Sequence, residues 1–343
     1  MVTPSENKLE STHEPVTLLE VARVAGVSAS TVSRILNGTA RVAPGKREAV
    51  EQAIAKLNFK PNLFARSLKT GITMTVGVLT QSIESQYYSR ALKGIEVGLQ
   101  ESGHSPIIVS GHWQADIDLA SLKVLISRRV DGLIILTGCI DDASVLDVAR
   151  NQPVVITERA LQGPNVCSIK LDQRRGGYLA TQHLLSLGHR RIAHIAGVQH
   201  RPDADERYQG YLKAHQEAGL TVDPALLVQG DFTDKGGRRA MEQLLASGTP
   251  FTAVFCCNDE SAMGARLALF ERGIRVPQDI SLVGFDDLPI SSYMTPPLTT
   301  VRQPIFEVGL YAAHKLLNMM GYPADEITVP PLELMVRGTT QAA

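Results

Sequence analysis

At 343 residues, with 44% apolar and 20% charged side chains, the chain exceeds one ordinary domain and has enough apolar material for a sizeable core, which excludes a wholly disordered protein. The net charge of -1 hides an asymmetry: residues 16–71 carry nine Lys/Arg against three acids, and residues 72–343 carry 24 against 29. A polyanionic partner is therefore expected to meet only the small basic part. The polar start MVTPSENKLESTHEP reads as a disordered lead over residues 1–15 with no secretory apolar region. No run of about 18 apolar residues is long enough to span a membrane, so a cytoplasmic protein is expected.

Thr17-Leu18-Leu19-Glu20 has the capping-box spacing. Thr17 can cap an early helical amide, and Glu20 can reach back. Leu18, Val21, Ala22 and Ala25 then share one helix side. Gly26 breaks that helix, and Ser28 is a good cap for a second one with Val32, Ile35 and Leu36 as its apolar face. The Ala25-Gly26-Val27 turn between them gives helix-turn-helix spacing. A third helix, Pro44–Leu57, is expected to close the core with Val50, Ile54 and Leu57. Pro61 then opens Asn62–Lys69, two helical turns that are too short to be stable alone in water. From Thr75 onward short apolar runs alternate with amphipathic stretches. The runs include Val76–Leu79, Gly132–Leu136, Val154–Thr157, Ile192–Ala196, Ala253–Cys257 and Ile280–Phe285. Such alternation predicts βα units with parallel sheets, and the length favours two lobes facing a cleft. Ligands in such sheets sit beyond the carboxyl ends of the strands.

The catalytic inventory is poor. Cys139, Cys167, Cys256 and Cys257 form no CxxC pair and read as buried free thiols, so no metal and no cofactor is expected. There is no Ser/His/Asp set, phosphate loop or HExxH. Asp286 and Asp287 are adjacent, and adjacent side chains diverge on extended backbone. An enzyme is not expected. Trp113 sits in no motif and receives no role.

The motifs taken together resemble the lactose/galactose repressor (LacI/GalR) family of bacterial regulators. In the first part the resemblance rests on Thr17-Leu18, Val21-Ala22, Ala25-Gly26-Val27-Ser28, Thr31-Val32-Ser33-Arg34, Leu36-Asn37, Pro61-Asn62 and Ala65-Arg66-Ser67-Leu68. In the second it rests on Asp131-Gly132-Leu133-Ile134, Leu187-Gly188-His189-Arg190-Arg191-Ile192-Ala193, Asn258-Asp259, Val276-Pro277, Ile280–Asp287 and Pro297–Val301. The match spans nearly the whole chain, from Val16 to Thr340.

The resemblance implies a small all-α helix-turn-helix head (16–60), a hinge helix and linker (61–73), and an α/β two-lobed sensor like type I periplasmic binding proteins (74–343). Its N-lobe would comprise about 74–171 plus 303–330, and its C-lobe about 172–302 plus 331–340. It also implies a homodimer on pseudo-palindromic double-stranded operator DNA. The absence of a C-terminal heptad tail argues against tetramers. By matching position, Leu18, Ser28, Ala29, Ser30, Thr31, Ser33, Arg34 and Asn37 would face DNA. Arg34 suits guanine O6 and N7, and the short polar groups suit phosphates. Asn62, Ala65, Arg66 and Leu68 would enter the minor groove, with Leu68 as an apolar wedge. Effector candidates carried over in the same way are Gln81, Tyr87, Tyr88, Glu158, Arg207, Phe232, Asn258 and Asp286. The implied function is a repressor of carbohydrate-utilisation genes, released from its operator by a sugar. A solute receptor without a DNA role is the alternative, against which the basic head argues.

Overall fold

A computed structural model describes residues 16–36, 42–59 and 71–343. Two units emerge, Met1–Thr73 and Met74–Ala343. In the first, α1 (Leu18–Ala25), α2 (Ala29–Leu36) and α3 (Pro44–Leu57) surround a small core of Val21, Val32, Ile35, Val50, Ala53 and Phe59. The capping box is formed: Glu20 N donates to Thr17 Oγ1 at 3.3 Å, and Thr17 N donates to a Glu20 carboxylate oxygen at 2.7 Å. Gly26 ends α1 in the left-handed region, φ 65°, where a β-carbon is disfavoured. Ser28 Oγ accepts from Thr31 N at 3.2 Å and so caps α2. The sequence reading missed Phe59, which is buried just after α3.

The second unit is two α/β lobes. In the N-lobe, β1 (Thr75–Thr80), α4 (Gln86–Gln100), β2 (Ser105–Ser110), α5 (Ala115–Ser127), β3 (Gly132–Ile135), α6 (Asp142–Ala149), β4 (Val154–Thr157) and β5 (Val166–Ile169) follow in order. Their strands form a parallel sheet, β2-β1-β3-β4-β5. The C-lobe holds α7 (Gln173–Ser186), β6 (Ile192–Ala196), α8 (Pro202–Glu217), β7 (Leu227–Gln229), α9 (Asp234–Ala246), β8 (Ala253–Cys256), α10 (Asp259–Glu271), β9 (Ser281–Asp286) and β10 (Thr299–Arg302). The chain then returns to the N-lobe as α11 (Ile305–Met319), which packs along α4 and over β3, β4 and β5. It crosses once more to supply β11 (Glu333–Met335), giving the order β11-β10-β9-β8-β6-β7 with only β11 antiparallel.

Strands β3, β4, β8 and β9 are buried along their whole length, as parallel strands covered by helices on both faces must be. Helices α7 and α8 meet backbone to backbone, because a β-carbon at Gly177 or Gly210 would collide with the facing main chain. That close approach sets the position of Arg207, whose carbonyl faces Gly177.

Arg207 lies five positions into α8, whose first turn holds Pro202. Strand β8 ends at Cys256, and Asn258 caps α10. Among the described residues no helix is long and apolar enough to cross a membrane.

Candidate functional site

Helix α2 of the first unit carries the candidate reading surface. Arg34 and Ser30 are exposed, and Thr31 and Ser33 are half-buried. Ser28 Oγ lies 2.9 Å from Ser30 Oγ and 2.8 Å from Thr31 Oγ1, so three hydroxyls cluster where the helix begins. A helix N-terminus with clustered hydroxyls suits phosphate oxygens, and a long exposed guanidinium suits a base edge. Ala29 and Leu18 are half-buried and pack against the core of the head, which fixes the pitch of this surface. Asn37, Asn62, Ala65, Arg66 and Leu68 lie outside the described residues.

In the second unit the candidate effector residues collect at the carboxyl ends of both sheets. Arg207, from α8, is 3% exposed. Its Nε donates to Gln173 Oε1 at 2.9 Å, its Nη1 donates to Cys257 O at 2.5 Å, and its guanidinium lies 3.9 Å from the Phe285 ring centroid. Gln173 Nε2 donates to Gln303 Oε1 at 2.9 Å, and Gln303 Nε2 donates to Asp286 Oδ1 at 2.6 Å. Asp286 Oδ1 lies 3.8 Å from Arg207 Nη1 and closes the ring. Glu158 joins from the N-lobe by accepting from Gln173 Nε2 at 3.1 Å.

Burial works to lower Arg207, but the charges of Asp286 and Asp203 outweigh it and hold the cation. Burial pushes the Asp286 carboxyl well up, with Arg207 pulling against it. Glu158 is pushed up to about 7, first by burial and then by the Asp203 charge. The ring is thus a set of donors and acceptors kept out of water and satisfied by one another.

The remaining candidates fall around this ring in different roles. The Phe232 ring packs on Gly197, and the Arg207 guanidinium lies 5.8 Å from its centroid. Asn258 holds that loop: its Nδ2 donates to Phe232 O at 2.8 Å, while its Oδ1 accepts from Ser261 N at 3.0 Å. Both functions of the amide are therefore structural in this state. Gln81 organises the N-lobe loops, accepting from Trp113 N at 2.7 Å and donating to Asp118 Oδ2 at 3.3 Å and Thr137 O at 3.4 Å. Tyr87 and Tyr88 meet edge to face at 5.1 Å, and Tyr88 lies 6.1 Å from Trp113. Burial first, then the Glu158 and Asp286 charges, raises the Tyr87 hydroxyl well above its ordinary value.

Several residues at this site went unread in the sequence. Gln173 and Gln303, 1% and 2% exposed, flank two of the crossings between lobes. Trp113, assigned no role from sequence, carries the Arg201 guanidinium at 3.4 Å over its ring. Arg201 also donates to Thr137 Oγ1 at 3.1 Å, so a C-lobe side chain bridges to the N-lobe.

The backbone marks the same region. Trp113, Thr137, Glu158, Phe232, Asp286 and Asp287 all have positive φ, between 55° and 113°. Such conformations cost about 1–3 kcal/mol each for residues with a β-carbon and concentrate at binding sites. Asp287 does not join the ring. It is held instead by ion pairs to Arg302 at 2.7 Å and Arg337 at 2.6 Å. Among the described residues no group of three His, Cys, Asp or Glu side chains is placed to hold a metal.

Residues 17–62 match the family model for bacterial regulatory proteins of the lacI family, and residues 181–340 match a periplasmic-binding-protein-like domain. The HTH-type transcriptional repressor PurR of Erwinia tasmaniensis is 40% identical over 313 residues, 90% of this chain and 92% of that protein. The ribose operon repressor of Haemophilus influenzae is 35% identical over 317 residues, 92% and 96% of the two chains. The crystal structure of the lac repressor dimer bound to operator and the anti-inducer ONPF superimposes with a TM-score of 0.84 at 32% identity, covering 96% of this chain and all of that one. Head, sensor and sequence lead to one conclusion: the chain belongs to the LacI family of DNA-binding transcriptional repressors, with a periplasmic-binding-protein-like sensor.

Proposed function

We propose that the protein is a homodimeric, cytoplasmic repressor whose hold on a pseudo-palindromic operator is released by a neutral, polyhydroxylated sugar bound between the two lobes. The observation that carries the sugar reading is the buried ring Arg207–Gln173–Gln303–Asp286. Hydroxyl groups donate and accept at once, so they can replace bonds at an arginine, an amide and a carboxylate alike. Each buried arginine already faces a carboxylate, Asp286 for Arg207 and Asp203 for Arg201, which favours a neutral ligand over an anion. Phe232 and Tyr87 add flat faces for a sugar ring. The ribose named in one relative and the operator, dimer and anti-inducer present with another are consistent with this reading.

The path to DNA runs through the lobe crossings. Gln173 and Gln303 belong to the ring and flank crossings, so a ligand that takes bonds from the ring alters the balance between lobe orientations. Only a difference in affinity between two such states can shift their populations. In the head, α2 enters the major groove with Arg34 on a guanine, Ala29 and Ser30 tuning the choice, and Leu18, Ser28, Thr31, Ser33 and Asn37 along the backbone. Asn62, Ala65, Arg66 and Leu68 then form the minor-groove segment, with Leu68 wedged between base steps.

The test titrates the full-length protein on operator DNA with a panel of sugars, alongside hypoxanthine and guanine. The aromatic faces of Tyr87 and Phe232 would also accept a planar base, which is the competing occupant. A sugar should release wild type and leave Asp286→Asn bound to DNA. Release by a base and by no sugar would replace the sugar reading, and a normal sugar response in Asp286→Asn would remove the site.

A further inference from the structure

One cavity of the C-lobe holds none of the residues of the ring around Arg207. It has a volume of about 270 Å³ and is lined by β6, the edge strand β7 and the first two turns of α8. Its rim residues Gln199, Asp205 and Gln229 are exposed, so it is reached from solvent. Asp205 is the only charged side chain on its wall among the described residues, and Leu227, Val228, Ala204 and the Tyr208 ring make much of the wall apolar. The most buried polar side chain there is His194 of β6, 1% exposed. Aromatic rings stack on this imidazole: Phe255 at 4.9 Å, Tyr211 at 5.1 Å and Tyr208 at 5.8 Å between centroids. Its Nδ1 lies 2.9 Å from Phe255 O. A carbonyl only accepts, so Nδ1 carries the proton and Nε2 keeps a lone pair. Burial pushes the group down to about 4, which keeps it neutral. Nε2 is buried and has no hydrogen-bond partner among the described residues. With rings stacked on it and the Nδ1 edge held by a carbonyl, the imidazole turns its Nε2 edge to the cavity. A buried acceptor without a donor is costly and calls for an occupant.

We propose that this cavity is a second small-molecule site, separate from the effector ring, and that it takes a neutral, one-ring apolar molecule carrying an O–H or N–H donor. The donor bonds to His194 Nε2, and the ring lies among Tyr208, Leu227 and Ala204. The size fits, since a dry cavity of about 150 Å³ already holds benzene. The charge fits as well, because the one carboxylate at the rim disfavours an anion. The far side of the wall at Gly197 carries the Phe232 ring, on which a β-carbon at Gly197 would collide. An occupant therefore bears on the segment that holds Phe232 beside Arg207. The inference does not depend on the sugar reading, because no residue of the sugar site lines the cavity.

The experiment titrates the full-length protein with phenol and with anisole, which keeps the ring and the oxygen but has no proton to donate. Calorimetry reads affinity, and nitrogen resonance of labelled histidine reads His194. Phenol should bind with a Kd of about 1 mM or tighter, move the Nε2 resonance and exceed anisole by about tenfold. His194→Phe keeps the stacked ring and removes the acceptor, so the preference for phenol should vanish. Leu227→Phe fills the cavity from the edge strand and should weaken both probes; it serves where the His194 variant fails to fold. Phenol that binds no tighter than anisole overturns the assignment, as does phenol binding that ignores both substitutions. A cavity that takes water only, seen as no binding of either probe at about 10 mM, overturns it too. None of these results touches the sugar reading, which is decided by operator release in Asp286→Asn.

Discussion

The head and the sensor cleft handle polar groups in opposite ways. At the start of α2 and along it, Ser28, Ser30 and Arg34 stand exposed, and among the described residues the hydroxyls of Ser28 and Ser30 bond to neighbours within three residues. Nothing is stored there, since water serves these groups until a partner arrives. In the cleft, Arg207, Gln173, Gln303 and Asp286 are nearly inaccessible and bond to one another across long stretches of sequence. A ligand must exchange its own hydrogen bonds for theirs. The exposed groups of α2 are free to meet a partner directly, whereas those of the cleft must first give up the bonds they make to one another.

The sharpest way to break this contrast is to remove Arg207. Arg207→Ala leaves Asp286 buried without its cation and should destabilise the sensor by about 3–5 kcal/mol. Denaturant unfolding would measure this, and Arg34→Ala in the same assay should move less than about 0.5 kcal/mol. Equal effects would erase the distinction.

Glu158 sharpens the contrast through pH. Its folded-state value near 7 exceeds the ordinary 4.5, so the folded protein holds more protons than the unfolded chain between those values. Stability should therefore fall as pH rises through that window. Glu158→Gln removes the cost of ionisation and should stabilise the protein by about 1–3 kcal/mol at pH 8, with the advantage shrinking to nothing near pH 4. Melting curves across pH would show it, and an advantage independent of pH would contradict the buried, protonatable carboxyl.

On the head, Arg34→Ala should weaken specific operator binding by about 1–3 kcal/mol while leaving non-specific binding nearly unchanged. An unaltered ratio of the two would deny it a base-reading role. A further effect on the head is expected from Ser28→Ala, which deletes the cap on α2 and should cost about 1 kcal/mol of head stability. Amide exchange in α2 is the measurement, and unchanged protection would show the cap to be dispensable.

Much was legible before any coordinates, for reasons tied to particular residues. The capping box at Thr17 and Glu20, the break at Gly26 and the cap at Ser28 are local interactions, and local chemistry is written in neighbouring letters. The βα alternation was equally readable, because strands buried on both faces need continuous apolar runs. Gln173, Gln303, Trp113 and Arg201 gave no such signal. Their partners lie 130 residues away for Gln173 and Gln303, and 64 residues away for Arg201 and Thr137. A glutamine or a lone tryptophan carries no periodicity that would reveal such a partner.

The sequence by itself determined the helices of the head and the two-lobed α/β class, and its motifs carried the resemblance to the family. The elements follow from hydrophobic period, caps and turns, which act over a few residues. Only the tertiary structure decided which polar groups face one another, because that depends on three crossings bringing the carboxyl ends of two sheets together. It closed Arg207 and Asp286 into a ring, laid Arg201 over Trp113, and set Glu158, Phe232 and Asp286 in strained backbone at strand ends. Burial then raised the Glu158 carboxyl, since the cost of a charge depends on the water removed around it and not on its place in the chain.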